Sequence, residues 1–396
     1  MGPELQLSVC MIVKNEEKNL RRCLETVKFA DEIIVVDTGS TDSTIEIAEE
    51  YGCIVKRHGW KNNFSLHRNQ SIGYATGHWL LFIDADEDLN GKTDDLKTWL
   101  KTVPENINGV CVTMHDIQGG RVQMQYNPPK IFRNGKVEFK DIVHNRPVLK
   151  GNKEYLYCPL VFYRHYGYDL TQEQRLAKVE RTTGLLKERL RQSKSDWQAH
   201  YYLVMQYGWI NDWENAAQHA EIYLKNKDKQ GTNFNPSIYW TAIRMYMVQL
   251  KQLENAERWL KIAIADQPNN LDILLSMCEY GVTTNNQAMI GQAAQGFISN
   301  YAQFEQRRGQ MGTQFVHSYN AESLGYCTYH LGRLQIMTGM NTIQTLAKIL
   351  PLTEKSFEAK MGDELRVFMP EIATICEELT PSKEEKLIVT PDEYKG

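Results

Sequence analysis

Runs of apolar and β-branched residues at 7–13, 32–37 and 53–56 read as strands, and the run at 79–83 has the length and composition of a strand buried on both faces. Between them the apolar positions change to helical spacing, with Leu20, Cys23, Leu24 and Val27 on one face of a helix reaching about Lys28. Asp42 or Ser43 can cap a helix over 44–51, which Gly52 ends. Another is expected from Ser65 to about Ala75, with Gly77 as its stop. Alternating strands and helices with tight links predict a parallel sheet with right-handed crossovers. A polar helix is then expected over 92–101, a strand over 108–115, and a hairpin at Gly119-Gly120 returning through 121–126. Pro128-Pro129 breaks the chain, and an apolar strand from Leu160 ends at a histidine, His165.

From Thr171 the pattern is helical. Thr171 and Gln174 fit a capping box, and Leu176, Val179, Leu185, Leu186 and Leu190 recur at helical spacing to about Gln192. Two segments then echo each other, Trp213-Glu-Asn-Ala216 and Leu253-Glu-Asn-Ala256. Trp240, Ala256, Leu260, Ala263 and Pro268 stand at tetratricopeptide positions. Ala216 and Ala256 are 40 residues apart rather than ~34, so the loop over 228–235 is enlarged. Helices are expected on to about Glu378. The predicted organisation is an α/β domain over 1–168, an all-α tetratricopeptide-like domain over 169–380, and a flexible tail over 381–396. Such helices are either generic hairpins or a concave surface for a partner or acceptor.

With 396 residues, 42% of them hydrophobic and 24% charged, the chain reads as an ordinary globular protein of two or three domains. A net charge of -4 argues against a surface that binds nucleic acid throughout. A local basic groove stays open, because Arg121, Lys130, Arg133, Lys136, Lys140, Arg146 and Lys150 crowd one stretch. None of the eight cysteines forms a Cys-x-x-Cys pair, which removes zinc ribbons and thioredoxin-like chemistry and suits reduced thiols in the cytoplasm. No signal peptide and no membrane-spanning run is expected.

The chemistry gathers at the end of the fourth apolar run, where Asp84, Asp86, Glu87 and Asp88 put four carboxylates into five positions. The carboxyl edge of an open α/β sheet is where ligands sit. Carboxylates this close repel unless cations or buried donors compensate them. Hard oxygen ligands suit Mg²⁺ or Mn²⁺ bridging to a phosphorylated ligand; the alternative is a solvated acidic corner. Asp37, beside Gly39, ends the second run and can accept from a ribose or base, or simply cap its turn. No Gly-x-Gly-x-x-Gly lies near it, so a dinucleotide-binding dehydrogenase is disfavoured. Arg68 can reach a phosphate or make a structural ion pair.

Four stretches taken together, Val9-Cys-Met-Ile-Val-Lys-Asn-Glu16, Ile34-Val-Val-Asp-Thr-Gly-Ser-Thr-Asp42, the Trp60/Phe64/Arg68-Asn69 segment and Phe82-Ile-Asp-Ala-Asp-Glu87, resemble in order and spacing the family 2 glycosyltransferases of the GT-A fold, over roughly residues 5–170. The joined helical region resembles that of the sublancin-type peptide glycosyltransferases. The resemblance implies an α/β catalytic domain with a Rossmann-like mixed sheet, followed by an all-α domain. It implies a nucleotide-sugar donor, a UDP-sugar first, with Mn²⁺ or Mg²⁺. Val13, Asn15 and Glu16 would border the nucleoside and Asp37 would bind base or ribose. Ser40, Asp42, Trp60, Arg68, Asn69 and Ala85 would belong to the same donor site. Asp84 and Asp86 would form the Asp-x-Asp pair, with Asp86 favoured as direct metal ligand and His165 as the third. Where such enzymes read Val-His-Glu, this chain has Val143-His144-Asn145, which leaves Glu87, Glu138, Asp141 and His144 as candidate bases. The implied reaction is inverting transfer to a peptide, a protein or another bulky acceptor held by the helices; a thiol acceptor would need the weaker base. A hydroxymethylated base of viral DNA and an envelope glycan are the alternative acceptors. A nucleotide-binding scaffold without catalysis is the alternative function, and homo-oligomerisation is left open.

Overall fold

The computed structural model describes residues 6–167, 170–231, 234–307 and 321–337. The expected helices over 338–378, the tail over 381–396 and the junction residues Tyr168 and Asp169 lie outside the described residues. The chain forms two compact units that divide between Asp212 and Trp213.

The first unit begins with β1 (Leu7–Val13), α1 (Leu20–Val27), β2 (Glu32–Asp37), α2 (Thr44–Glu50), β3 (Ile54–Arg57), α3 (Phe64–Tyr74) and β4 (Trp79–Phe82). It continues through β5 (Glu87–Gly91), α4 (Thr93–Thr102), β6 (Gly109–Gln118), β7 (Arg121–Tyr126), β8 (Pro129–Arg133), β9 (Val137–Lys140), β10 (Arg146–Leu149), β11 (Tyr155–His165), α5 (Gln172–Gln192) and α6 (Trp197–Trp209). The main sheet runs β3-β2-β1-β4-β8-β6-β11-β5, with β7 paired to β6; β9 and β10 form a separate pair. β3, β2, β1 and β4 are parallel, and antiparallel β8 then joins them to β6 and β11.

The period of two along each strand divides the core into layers. Val9, Met11, Leu81 and Ile83 pack on one face with α1 and α4, through Leu24 and Leu96. Cys10, Leu80 and Phe82 face the other way, onto Phe132, Phe139 and Leu149. Both faces are therefore dry, as the unbroken apolar runs require. Val13 of β1 stands opposite Asp37 of β2, so the ends of these strands and the residues after β4 open onto one edge.

Local expectations are adjusted at several points. α3 starts at Phe64 rather than Ser65, and Asn63 caps it: its side chain accepts from the Leu66 N–H at 2.9 Å, while the Ser65 hydroxyl donates to the Asp141 carbonyl. The helix stops at Tyr74, and Gly77 serves close packing, since a Cβ there would lie 2.5 Å from Ser8 Oγ. Ser43 makes no side-chain cap at α2; the Asp42 carboxylate takes the Thr44 N–H instead. Strands also form where none was expected, β5 at the end of the carboxylate cluster and β8 from Pro129, the second proline of the expected break. The last strand starts earlier than expected, at Tyr155. The capping box of Thr171 and Gln174 is present, but Leu176 is 48% exposed rather than on the buried face.

The second unit contains α7 (Trp213–Lys225), α8 (Ser237–Arg244), α9 (Leu253–Asp266), α10 (Leu271–Thr283), α11 (Gln287–Arg307) and α12 (Ala321–Met337), with a π-helical turn, Met245–Gln249, continuing α8. The echoing residues Ala216, Ala220, Ala256 and Leu260 are buried. Glu221 of α7 accepts from Tyr246 and from the Trp259 indole of α9, joining the two echoing helices. Among the described residues no helix is long and apolar enough to cross a membrane.

Gly91 closes β5 with φ 99°, and a Cβ there would lie 2.4 Å from the Leu160 carbonyl oxygen. Gly91→Ala should therefore cost about 2 kcal/mol or more. Urea unfolding measures this, and an unchanged midpoint would refute the close approach of β5 and β11.

Candidate functional site

The loops after β1 and β2 are laced together. Asn15 adopts a left-handed conformation (φ 56°), accepts from the Thr41 N–H at 2.8 Å, and donates its own N–H to Ser40 Oγ at 2.9 Å. The Glu16 N–H donates to Thr44 Oγ1, and the Glu17 N–H to the Asp42 carboxylate. Asp37 is buried, and its carboxylate accepts the N–H groups of Gly39 at 3.0 Å and Ser40 at 3.1 Å. Val13, Asn15, Glu16, Asp37, Ser40 and Asp42 thus come together as one hydrogen-bonded frame, in which Asp37 fixes the turn that it begins.

Each of three clustered carboxylates has a cation of its own. Both oxygens of Asp84 lie 2.9 Å from Arg68 Nη2, whose guanidinium rests on the Phe139 ring. Burial would raise the Asp84 carboxyl, but Arg68 and Lys130 outweigh it and hold the pKa at about 2. Glu87 accepts from Lys130 Nζ at 2.7 and 2.8 Å and from the Asp84 N–H at 2.9 Å; burial lifts its carboxyl above the ordinary value against the pull of Lys130. Asp88 accepts from Arg22 Nε at 2.8 Å. Stripping a buried charge of its partner costs about 3–5 kcal/mol, so these pairs hold the edge together. Ala85 between them is buried.

Asp86 differs, for it faces His165. Register places His165 of β11 beside Asp116 of β6, and Asp116 Oδ1 lies 2.7 Å from His165 Nδ1. The other ring nitrogen, Nε2, lies 3.6 Å from Asp86 Oδ2. Burial alone would depress the imidazole, but the bonds to Asp116 and Asp86 raise its pKa to about 10. Gly167 permits this closeness: a Cβ there would lie 2.4 Å from His165 Nε2 and 2.5 Å from Asp86 Oδ2. A carboxylate on one imidazole nitrogen that turns the other toward an oxygen ligand is how metal-binding histidines are oriented. Among the described residues no three His, Cys, Asp or Glu side chains converge as a full ligand set, and Asp84 is turned to Arg68. Asp86 and His165 suit an ion such as Mg²⁺ or Mn²⁺ that takes its remaining ligands from water and phosphate.

The candidate bases are dispersed. Glu87 is tied to Lys130. Glu138 is exposed on β9, between Val137 and Phe139, which point into the core. Asp141 pairs with Arg146 Nε at 3.0 Å and faces Arg189 at 3.8 Å. His144 lies flat on Tyr202 of α6, ring centroids 3.8 Å apart, with its Nε2 buried and unpartnered. Burial, then the charges of Arg189 and Lys178, pull its pKa down to about 4. The loop is held by Arg189 of α5, which donates to the Val143 carbonyl and pairs with Asp196. Asn69 bridges the backbone of Phe139 in both directions, at 2.9 and 2.8 Å, which makes it a support for β9. Trp60 packs against Phe64 and His67.

The model of the family Glycosyl transferase family 2 matches residues 8–157. Those residues are a family 2 glycosyltransferase domain. The SPbeta prophage-derived glycosyltransferase SunS of Bacillus subtilis is 33% identical over 186 residues, 46% of this chain and 44% of that protein. A TPR repeat-containing protein of Synechococcus elongatus is 34% identical over 248 residues, 57% of each. The chain spans about half the length of the curated relatives it matches. Glucosyl-3-phosphoglycerate synthase from Mycobacterium tuberculosis, solved in complex with Mn²⁺, UDP and glucosyl-3-phosphoglycerate, is 24% identical over 29% of this chain and 45% of that one, with a TM-score of 0.24.

Around the glycosyltransferase domain's acidic edge stand residues that sequence reasoning passed over, Asp116, Lys130, Lys178 and Arg181, and Arg189 stands at the His144 loop. Lys130 was visible only as one member of a basic run. Asp116 becomes a partner of His165 only through strand register, and the other three lie on α5, beyond the motif-bearing stretch.

The His144 shift fixes a sign. Folding lowers its pKa from 6.5 to about 4, so between these values the unfolded chain binds a proton that the folded chain lacks. Its contribution therefore destabilises the fold progressively as pH falls from about 6.5 to about 4. His144 has φ 48°, a left-handed backbone that Asn tolerates, so the urea midpoint should fall further from pH 7 to pH 5 in the natural chain than in His144→Asn. Equal falls would place His144 in water.

Proposed function

We propose that this chain is a metal-dependent glycosyltransferase that moves a sugar from a nucleoside-diphosphate sugar, a UDP-sugar first, to a side chain of a peptide or protein, with inversion at the anomeric carbon. The observation that carries the reading is the Asp86–His165 pair, backed by Asp116 and opened by Gly167, at the sheet edge of a family 2 domain. Mn²⁺ or Mg²⁺ held there supplies charge neutralisation for the departing diphosphate. The frame of Asn15, Glu16 and Asp37 borders the nucleoside. Arg68 and Lys130 keep Asp84 and Glu87 from repelling the donor, since each carboxylate carries its own counter-charge.

His144 is the base this reading favours. It is uncharged at neutral pH, its Nε2 is unpartnered, and Lys178 acts electrostatically on both it and Asp86. Glu87 and Asp141 are paired to cations, and Glu138 faces outward. A weak base suits an acceptor that ionises readily, so a thiol is preferred to an alcohol. The tetratricopeptide-like helices would hold the bulky acceptor. A reducing cytoplasm is the compartment we propose, supported by seven described cysteines with no disulfide among them.

UDP with Mn²⁺ should raise the melting temperature of the full chain, and chelator should remove the gain. Asp86→Asn should abolish the metal-dependent gain and lower UDP-sugar hydrolysis about a hundredfold or more. A shift that survives chelation would take metal out of the donor site, and full hydrolysis by Asp86→Asn would overturn its assignment.

A further inference from the structure

The cations that neutralise the acidic edge are each engaged by a carboxylate: Arg68 by Asp84, Lys130 by Glu87, Arg22 by Asp88. A nucleoside diphosphate entering this edge brings further negative charge close to Glu16 and Asp86. Two other cations flank the place from α5, a helix that follows the matched stretch and belongs to the same compact unit. Lys178 and Arg181 are spaced i, i+3 and so share a helix face. Lys178 Nζ donates to the Gly167 carbonyl at 3.2 Å, the residue whose Cα abuts both His165 and Asp86. Its ammonium also lies 5.6 Å from the Trp209 ring of α6. The Arg181 guanidinium extends over the Phe64 ring at 5.8 Å, and Phe64 packs edge-on against Trp60. Glu16, of the nucleoside-side loop, is the carboxylate acting on Arg181. One cation therefore stands at Gly167 beside the Asp86–His165 pair, and the other lies one helical turn on, over Phe64 and within the electrostatic reach of Glu16.

We propose that α5 is the cationic wall of the donor site, with Lys178 and Arg181 binding the diphosphate; this rests on the donor-site reading above. Lys178 acts as a compact point charge beside the metal-binding pair. Arg181 offers planar, forked donors to phosphate oxygens from an exposed position on α5. Burial lowers the Lys178 ammonium pKa, and Asp86, Asp84 and Asp116 oppose that and favour its charged form. The donor-binding part of the molecule then reaches into the helical region, past residue 168.

The test uses the full-length chain with Mn²⁺ and a panel of UDP, GDP, CDP and ADP, each beside its parent nucleoside, by competition and calorimetry. The natural chain should bind one diphosphate. Lys178→Met and Arg181→Met should each weaken it about tenfold or more, with nucleoside affinity unchanged and a shallower dependence on salt. Lys178→Arg should restore most of the affinity. Arg181 is exposed, so its variant folds whatever becomes of the Lys178 variant. Unchanged diphosphate affinity in Arg181→Met and in a folded Lys178→Met, or equal losses of nucleoside and diphosphate, would overturn the proposal. If the natural chain binds none of the four diphosphates, the donor-site reading fails, and this one with it.

Discussion

Four carboxylates crowded at the end of a buried strand cannot stay ionised without counter-charge. The chain meets this constraint by bringing one cationic or proton-bearing group from each of four elements: Arg22 from α1, Arg68 from α3, Lys130 from β8 and His165 from β11. Those elements reach the edge only if the strand order is correct. β8 must lie beside β4 to present Lys130, and β11 must pair with both β6 and β5 to set His165 between Asp116 and Asp86. The electrostatics of the site and the topology of the sheet are thus one requirement. A sheet assembled in another order would leave buried charge uncompensated, at a cost comparable to the stability of a whole domain.

Much of the scaffold was legible because its signals are local. The run from Trp79 to Ile83 is apolar at every position, and the structure buries every one of them. The Thr171–Gln174 box needs only four residues of sequence, and it forms. β5 and β8 were illegible for the opposite reason. Glu87 and Asp88 carry no strand propensity, and Pro129 argues against a strand inside a sheet. Both become strands because their edges meet β11, β4 and β6, partners far away in sequence. Nothing local announces such pairing.

The site divides in the same way. That Asp86 and His165 belong together was readable from the motif and the resemblance. That Asp84 would be held by Arg68 was left between a phosphate and an ion pair, and only packing of α3 against β9 supplies the answer. Asn69, which the resemblance puts among the donor residues, also supports Phe139. Its side chain carries two hydrogen bonds to backbone that no spacing rule would assign. Lys178 and Arg181, which we propose for the diphosphate, were invisible because the motif pattern ends before α5 begins.

Arg189 has its own consequence. Its guanidinium holds the Val143 carbonyl, faces Asp141 and pairs with Asp196 at the α5–α6 turn, while Tyr202 of α6 lies under His144. The short stretch that bears His144 is thereby clasped by a hairpin encoded some fifty residues later. Grafting a foreign helical region onto this sheet, as modular recombination would do, must carry α5 and α6 along with it. A junction made before them would deliver an intact sheet whose His144 has lost its floor.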